Sequence, residues 1–585
     1  MACERGLAFG TELIFTYGPY GCLLTGQYWP ATYSASLALY GLSGALSIGL
    51  IFERTREWRT RSAGLLSVFW LGLTPETAVL ALPMCYVVHG YFLQRRTLLS
   101  CLALSALPFL ALTKFMLLPL SAAAVVTAAL MRERRFRLIG IVIDLALFFL
   151  GLAAAWRAAH QPLGGFVHFL VNATEVARGY PQAMSWPAAW STTGLLAFGL
   201  SVTVTVIAGA MAGLLFAQLS RYDERQPVPL AWALVAGWGL VVLRHGTTRA
   251  DLRHLLIPVA CIGAGALLVL RDARRHGPWL RIGVIGCGVL TIALAEARYQ
   301  GKGGGILTAH IRSTVHGLAL VAQGHDPRAA LDAELTRVRE RLEAEHAPLS
   351  MVRGRYDVLG SDQYLILALG TDQWTPRPVL QSYSAYTRRL TRLDADFIAS
   401  DQAPPWLVTQ VQTIDSRLPM MDDPATWPTL ARHYAIEARA GARLVLRRTA
   451  WPRDDASPVR AVHVDGADWL AVPALGPETL HAAIEIEETF TDRMRTIAWK
   501  PPIRLLELRC AGSADVRRFR LVPEAAAAGF VLSPLILTSD QFEDWLRGVP
   551  QPGQAVTSLR VVDERGIPIP AHVTIRTTPF YVPRI

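Results

Sequence analysis

The sequence predicts a polytopic α-helical membrane domain of about ten apolar segments, followed by extracytoplasmic α/β and β-sandwich-like soluble domains. Apolar residues make up 52% of the 585 residues and charged residues only 18%, against about 25% charged in an ordinary soluble domain. Mean hydropathy is +0.30. The net charge of +11 lies entirely in residues 1–300, because the remainder carries equal numbers of basic and acidic residues. This distribution is typical of a membrane protein, and no nucleic-acid partner is expected.

The predicted transmembrane domain covers residues 31–297. A full span needs about 20 residues, so the stretch 63–74 is too short alone and is predicted to be a half-helix or the arm of a tilted hairpin. Pro75 favours a break at that point, because proline interrupts the hydrogen bonds of a helix. The apolar stretches are 31–52, 63–74, 77–93, 97–113, 115–131, 138–156, 191–217, 228–243, 255–270 and 282–297.

Arginine clusters set the predicted orientation. They fall in every second loop, which the positive-inside rule places in the cytoplasm. Both termini then lie outside, and the protein is predicted to be a multi-pass protein of the bacterial inner membrane. Residues 1–30 would form an extracytoplasmic first-loop segment. Since they contain no basic region followed by an apolar core, we expect a further transmembrane helix to be encoded upstream of Met1. The clusters lie at 54–61, 95–96, 132–137, 221–225 and 271–281.

Residues 298–585 are predicted to be soluble. Strand-like and helix-like runs alternate over 298–450, for example YLILALG and AYTRRLTRLDADFIAS, and predict an α/β domain. Short β-rich runs such as VRAVHV and IRLLELRC predict a sandwich-like domain over 451–585. Cys510 is the only cysteine of this half, and CxxC, HExxH and P-loop patterns are absent from the sequence, so disulfide frameworks, zinc sites and nucleotide-binding loops are not expected.

Ionisable residues at the outer membrane edge are the candidates for chemistry, because charge is costly there. Glu12, Tyr17 and Tyr20 lie in TELIFTYGPYG, where a carboxylate beside a Tyr-Gly-Pro turn suits a general base or a metal ligand. An interfacial loop within an aromatic belt explains the same pattern.

Glu76 and Lys114 interrupt apolar sequence. Glu76 follows Thr74 and Pro75, so the first turn of a helix accounts for it as well as a binding role does. Lys114 is one of only three lysines in the chain. It could hold a phosphate as a point charge, or it could extend its charged head to the interface from a hairpin tip.

The loop 157–190 contains His168, Asn172, Glu175 and Arg178. Spacings of four and three place the first three of these on one helix face. They are candidates for substrate binding, and a solvated amphipathic helix is the alternative.

The segment LRHGTTRADLRHLLIP contains the group of ionisable residues that most strongly indicates a binding site. Positive-inside statistics predict few arginines in this outer loop, so its arginines and histidines indicate an anionic ligand such as a diphosphate. Its ionisable residues are Arg244, His245, Arg249, Asp251, Arg253 and His254. Asp144, by contrast, is interpreted as an ordinary helix-end residue.

The chain resembles a group of bacterial polytopic membrane proteins that carry an FTYGP motif in the first outer loop. The motif stands here as GLAFGTELIFTYGPYGCLL, with Glu12 where aspartate is common. Further similar segments are ARGYPQAMS, RHGTTRADLRH, RPVLQSYSAYT at 377–387 and TIDSRLPMMDDPATWPTLARHY at 413–434. The resemblance covers most of the chain.

A wider resemblance is to the GT-C class of membrane glycosyltransferases, which use lipid-phosphate sugar donors. The chain departs from that class in lacking a first helix and the acidic pair after it, so that Glu4 and Glu12 are the acidic residues of its first segment. The resemblance implies glycosyl transfer from a polyprenyl-phosphate sugar to a glycan acceptor in cell-envelope synthesis. The catalytic carboxylates would be Glu12 and Asp251.

The remaining roles follow from the same resemblance. Glu12 would deprotonate the acceptor or help to hold a divalent metal, Mg²⁺ or Mn²⁺. The leaving phosphate would be stabilised by the cations Lys114, Arg249, Arg253 and His254, and Glu175 with Arg178 would line the acceptor groove. The main alternative is a non-enzymatic membrane component of polysaccharide assembly or transport with a soluble binding module. An ion-coupled transporter ranks last, because the spans offer few charges near the midplane.

Overall fold

The computed structural model describes residues 3–25, 27–54, 58–72, 75–93, 95–132, 137–185, 306–450, 460–474, 478–498, 500–549 and 552–579, together with isolated residues between 237 and 261. It divides into two units. One unit combines Met1–Thr16, Gly164–Pro187 and Glu334–Ile585, and the other combines Tyr17–Leu163 and Ala188–Ala333. They are called here the mixed unit and the helical unit.

Helices are numbered along the described residues. They are α1 (Tyr33–Arg54), α2 (Trp58–Leu71), α3 (Pro75–Phe92), α4 (Leu98–Ala111), α5 (Leu117–Arg132), α6 (Arg137–Ala158), α7 (Gly165–Met184), α8 (Ile306–Ala322), α9 (Pro327–Glu345), α10 (Leu365–Leu369), α11 (Arg388–Ala399), α12 (Thr426–His433), α13 (Phe490–Ala498), α14 (Pro523–Ala528) and α15 (Ser539–Leu546).

Strands are numbered in the same way. They are β1 (Tyr356–Leu359), β2 (Trp406–Thr409), β3 (Tyr434–Ala440), β4 (Arg443–Arg448), β5 (Arg460–Gly466), β6 (Leu470–Ala471), β7 (Glu478–Glu485), β8 (Arg504–Cys510), β9 (Val516–Leu521), β10 (Phe530–Ser533), β11 (Val556–Asp563) and β12 (Ala571–Pro579).

The prediction of about ten membrane-crossing segments is wrong. Among the described residues, two helices are long and apolar enough to cross a membrane, Pro30–Glu53 and Leu138–Ala158. The stretches predicted at 97–113 and 115–131 form helices of 14 and 16 residues, below the length of a full span. Apolar composition does not distinguish a span from a helix that buries its side chains against neighbouring helices. The stretches 191–217, 228–243, 255–270 and 282–297 lie outside the continuously described residues.

The two helices of span length favour association with a membrane. Both belong to the helical unit, in which α3 packs against α1 and α5, and α6 packs against α4 and α5. The predicted multi-pass topology is not supported, because the other apolar helical stretches described are shorter than a span: Thr77–Gly90, Leu98–Ala111 and Leu117–Met131.

Polar side chains join helix ends on the arginine-rich side of this unit. The Glu53 carboxylate at the end of α1 accepts from Thr97 Oγ1 at 2.7 Å and lies 3.0 Å from His89 Nε2. Arg96 Nε donates to Asp144 Oδ1 at 3.1 Å, and Asp144 is buried. Asp144 is therefore an ion-pair partner that ties α6 to the α3–α4 connection.

The described residues of the mixed unit form three four-stranded sheets with the orders β1-β2-β4-β3, β10-β7-β12-β5 and β6-β11-β8-β9. Strands β1 and β2 are parallel, and the other named pairs are antiparallel. The second and third sheets contribute to one apolar core, for example with Ile484 of β7 and Leu508 of β8. The predicted mixture of helices and strands is confirmed for the described part of residues 298–585.

Two segments from far upstream complete this core. Ile14 is buried in it and donates its N–H to the Pro378 carbonyl at 2.6 Å. Helix α7 contributes Val176 to the same core. Gly179 of α7 lies so close to Tyr386 that a Cβ would stand 2.2 Å from the Tyr386 Cβ, so the close approach of this helix requires glycine.

Candidate functional site

The residues of the predicted first-loop site belong to two different units. The boundary follows Thr16, so Glu12 lies in the mixed unit and Tyr17 and Tyr20 lie in the helical unit. The exposed carboxylate of Glu12 accepts the Ala8 N–H at 2.8 Å. Asn172 of α7 donates to the neighbouring Gly10 carbonyl at 2.7 Å and accepts from Arg389 Nε at 2.9 Å. Glu12 and Asn172 thus hold the backbone of the first segment in place.

Tyr17 and Lys114 come together in the helical unit. The backbone N–H of Gly18 donates to the Thr113 carbonyl at 3.1 Å, which fixes the first segment beside the α4–α5 connection. Lys114 Nζ lies 5.5 Å from the centroid of the Tyr17 ring, within the range of a cation–π interaction. Both side chains are half-buried. The motif therefore places one cation and one aromatic face at the same helix connection.

Tyr20 closes the other side of this connection. Its hydroxyl donates to the Ala155 carbonyl near the end of α6 at 2.7 Å, and its ring packs edge-on against Phe109 at 5.5 Å. Burial, and next the nearby Cys22, raise the pKa of Tyr20, so it stays a neutral donor. Tyr20 positions the segment that carries Tyr17.

The predicted acceptor residues on α7 do not converge. His168 is exposed, with Nδ1 3.4 Å from the Gly164 carbonyl, whereas Asn172 one turn further is buried. Glu175 is half-buried. Arg178 is occupied by an ion pair with Glu524 at 2.6 Å.

The remaining predicted residues receive no structural test. Glu76 lies in the first turn of α3, and its side chain is outside the described part of the structure. In the segment LRHGTTRADLRHLLIP, the structure describes Thr248. The ionisable residues of this segment lie outside the described residues: Arg244, His245, Arg249, Asp251, Arg253 and His254.

A buried charge network around Arg377 was missed at the sequence level. Arg377 is fully buried and lies 2.8 Å from Asp357, 3.3 Å from Asp394 and 3.9 Å from Asp423. Burial raises the pKa of both Asp394 and Asp423, each of which also faces the other. No local pattern marks this network, because Asp357, Arg377, Asp394 and Asp423 lie in separate segments of the sequence.

A second buried pair lies beside this network. Arg417 Nη1 is 3.1 Å from Asp422 Oδ1, and the Arg417 backbone pairs with Arg520 of β9. Burial raises the pKa of Asp422 to about 6. Burial, and next the charge of Arg417, lower the pKa of Arg520 to about 10. Asp415 has a positive φ of 49°, an uncommon conformation that these contacts hold in place.

Within the ranges that the structure describes, no three His, Cys, Asp or Glu side chains form a group able to hold a metal ion. A divalent metal, Mg²⁺ or Mn²⁺, stays a sequence-based prediction. In comparisons with known proteins, no family model, curated protein or solved structure matches the chain.

Proposed function

We propose that this protein is a membrane-associated component of bacterial cell-envelope glycan assembly that binds a polyprenyl-phosphate-linked sugar. The observation that carries the proposal is the pairing of Lys114 with Tyr17 at the α4–α5 connection of a unit with two helices of span length. A lysine fixed at the end of apolar helices suits a lipid phosphate, because its ammonium is a compact point charge.

In this proposal the protein resides in the cytoplasmic membrane. Lys114 lies at the connection between α4 and α5. The lipid phosphate would meet Lys114 at the membrane surface, and the polyprenyl chain would lie along α4 and α5.

Binding is tested with polyprenyl monophosphate and the purified full chain in detergent. Lys114→Met should weaken binding about tenfold, equivalent to about 1.4 kcal/mol, because it removes the charge and keeps an apolar stem. Lys302→Met, another of the three lysines, is the control and should change binding less than twofold. Equal affinities of the two variants would contradict the proposal.

Sugar transfer is the second candidate function. The exposure of the Glu12 carboxylate favours it, since a general base must reach its substrate. Glu12→Gln keeps an oxygen for the Ala8 N–H and removes the base. If the protein is a glycosyltransferase, this variant loses sugar transfer and retains polyprenyl-phosphate binding. Absence of transfer by the unchanged protein, with binding intact, would leave the non-enzymatic function.

A further inference from the structure

The sheet β6-β11-β8-β9 has one face toward the core and another that carries arginines. Leu508 of β8 belongs to the core, so its neighbours Glu507 and Arg509 lie on the opposite face. The register places Glu507 between Arg518 of β9 and Arg560 of β11. Directly paired residues share a face of a sheet, and these side chains therefore form one surface, the arginine face.

Glu507 holds two of these arginines in fixed positions. Its carboxylate is 1% exposed and accepts from Arg518 Nε and from Arg560 Nε, each at 2.7 Å. Burial acts to raise the pKa of Glu507, but the hydrogen bonds from Arg560 and Arg518 outweigh it and keep the pKa below its usual value. The carboxylate stays ionised, and both guanidinium groups are oriented before any ligand arrives.

Trp469 orients the third arginine. Arg509 Cζ lies 3.9 Å and Arg560 Cζ 4.6 Å from the centroid of its ring. Stacking occupies the flat face of a guanidinium group and leaves in-plane N–H donors at its edge. Arg509 is exposed. Its edge is available to a planar acceptor such as a carboxylate.

The charge on this face is positive and sparse. Three of its guanidinium groups, those of Arg509, Arg518 and Arg560, are accessible, whereas Arg520, which pairs with Leu505 on the same face, is buried. The three accessible groups meet the carboxylate of Glu507 and that of Asp468, which lies 3.7 Å from Arg560, so these five side chains keep one positive charge. Residues 301–585 have no net charge. A densely charged nucleic acid calls for a basic stripe, whereas a polymer with isolated carboxylates fits a small, rigid group of arginines.

We propose that the arginine face binds an anionic glycan through its carboxylate groups. The assignment rests on the proposed function and deepens it by naming the polymer that the mixed unit would hold. A glycan carboxylate accepts two N–H donors from the edge of Arg509, and the pairing with Glu507 fixes Arg518 and Arg560 beside it.

The test uses polygalacturonate as the anionic glycan and neutral dextran of similar length as the comparison, with the full chain in detergent. Arg509→Gln removes one exposed guanidinium group and leaves the pairs of Glu507 intact. Arg447→Gln is the matched control, because Arg447 also stacks on a tryptophan, with its Cζ 5.4 Å from the Trp406 ring centroid, but on another sheet. Melting temperatures verify that both variants are folded.

We expect the unchanged protein to bind polygalacturonate and not dextran, Arg509→Gln to weaken binding about tenfold, and Arg447→Gln to change it less than twofold. Equal losses in both variants, or equally tight binding of dextran, would overturn the proposal. So would single-stranded DNA that binds as tightly and depends equally on Arg509, since charge alone would then explain the surface. Lys114→Met should leave polygalacturonate binding unchanged, which separates failure here from failure of lipid-phosphate binding.

Discussion

Replacement of Arg377 by methionine should strongly destabilise the mixed unit. Arg377 donates to Asp357 Oδ2 at 2.8 Å and to Ser382 Oγ at 2.7 Å, and it also faces the carboxylates of Asp394 and Asp423. Methionine fills a similar volume but provides no charge. The three carboxylates would remain buried without their cation.

The magnitude follows from the burial of both partners. Arg377, Asp357, Asp394 and Asp423 are each 0–1% exposed, so water cannot replace the lost hydrogen bonds. Removal of one partner from a buried ion pair costs about 3–5 kcal/mol. The loss should shrink at acidic pH, because protonation of the carboxylates removes their unpaired charge.

Unfolding in urea, followed by tryptophan fluorescence, measures this loss. Arg447→Met is the control, because its ion pair with Glu437 is 59% and 40% exposed and such a pair contributes about 0–1 kcal/mol. Adding Asp394→Asn to Arg377→Met should recover about 1–3 kcal/mol, since one buried carboxylate is removed. The reasoning is refuted if Arg377→Met lies within 1 kcal/mol of Arg447→Met, or if the added substitution destabilises the protein further.

Two further predictions concern Asp422 and Gly179 of the mixed unit, with Gly317 of the helical unit as a comparison. Burial raises the pKa of Asp422 to about 6, above its unfolded value, so its contribution to stability is complete below about pH 4 and is lost as the pH rises through about 6. Asp422→Asn should flatten the change of melting temperature between pH 4 and 7, and an unchanged slope would contradict the assignment. Gly179→Ala should cost about 1–3 kcal/mol, because its Cβ would meet Tyr386. Gly317→Ala in α8, where a Cβ would meet no neighbouring atom, should instead stabilise the protein by about 0.5–1 kcal/mol. Thermal unfolding should therefore show a lower melting temperature for Gly179→Ala and a higher one for Gly317→Ala.

Local pattern was sufficient for part of the fold. The alternation of apolar and polar residues in β12 indicates a strand with one buried face, and the structure has it, with Ala571, Val573 and Ile575 buried. Apolar composition predicted the membrane segments wrongly, because a short apolar helix that packs against neighbouring helices has the same composition as a membrane span. Length and proline position distinguish α4, which contains Pro108, from α6.

For the candidate site, sequence reasoning located residues but not their partners. It selected Tyr17 and Lys114 separately, and the structure brings them to one connection. It also selected Arg178, whose partner Glu524 lies 346 positions away. Arg377 was passed over, because nothing local to it shows that Asp357 and Asp423 lie in the same buried space. Contacts between distant segments determine which charges are functional candidates and which are structural.

The packing of distant segments against each other in the mixed unit also affects how the chain folds during synthesis. Ile14 pairs with Pro378, and Arg5 hydrogen-bonds to the Trp374 carbonyl, 369 positions away. At about 5–20 residues per second, the ribosome needs roughly 20–70 s to produce the partners of the first segment after that segment has been made. During this interval the apolar side chains of Phe9, Leu13 and Ile14 have no core to enter. Residues 9–14 therefore reach their buried positions only after the chain has been made as far as Pro378.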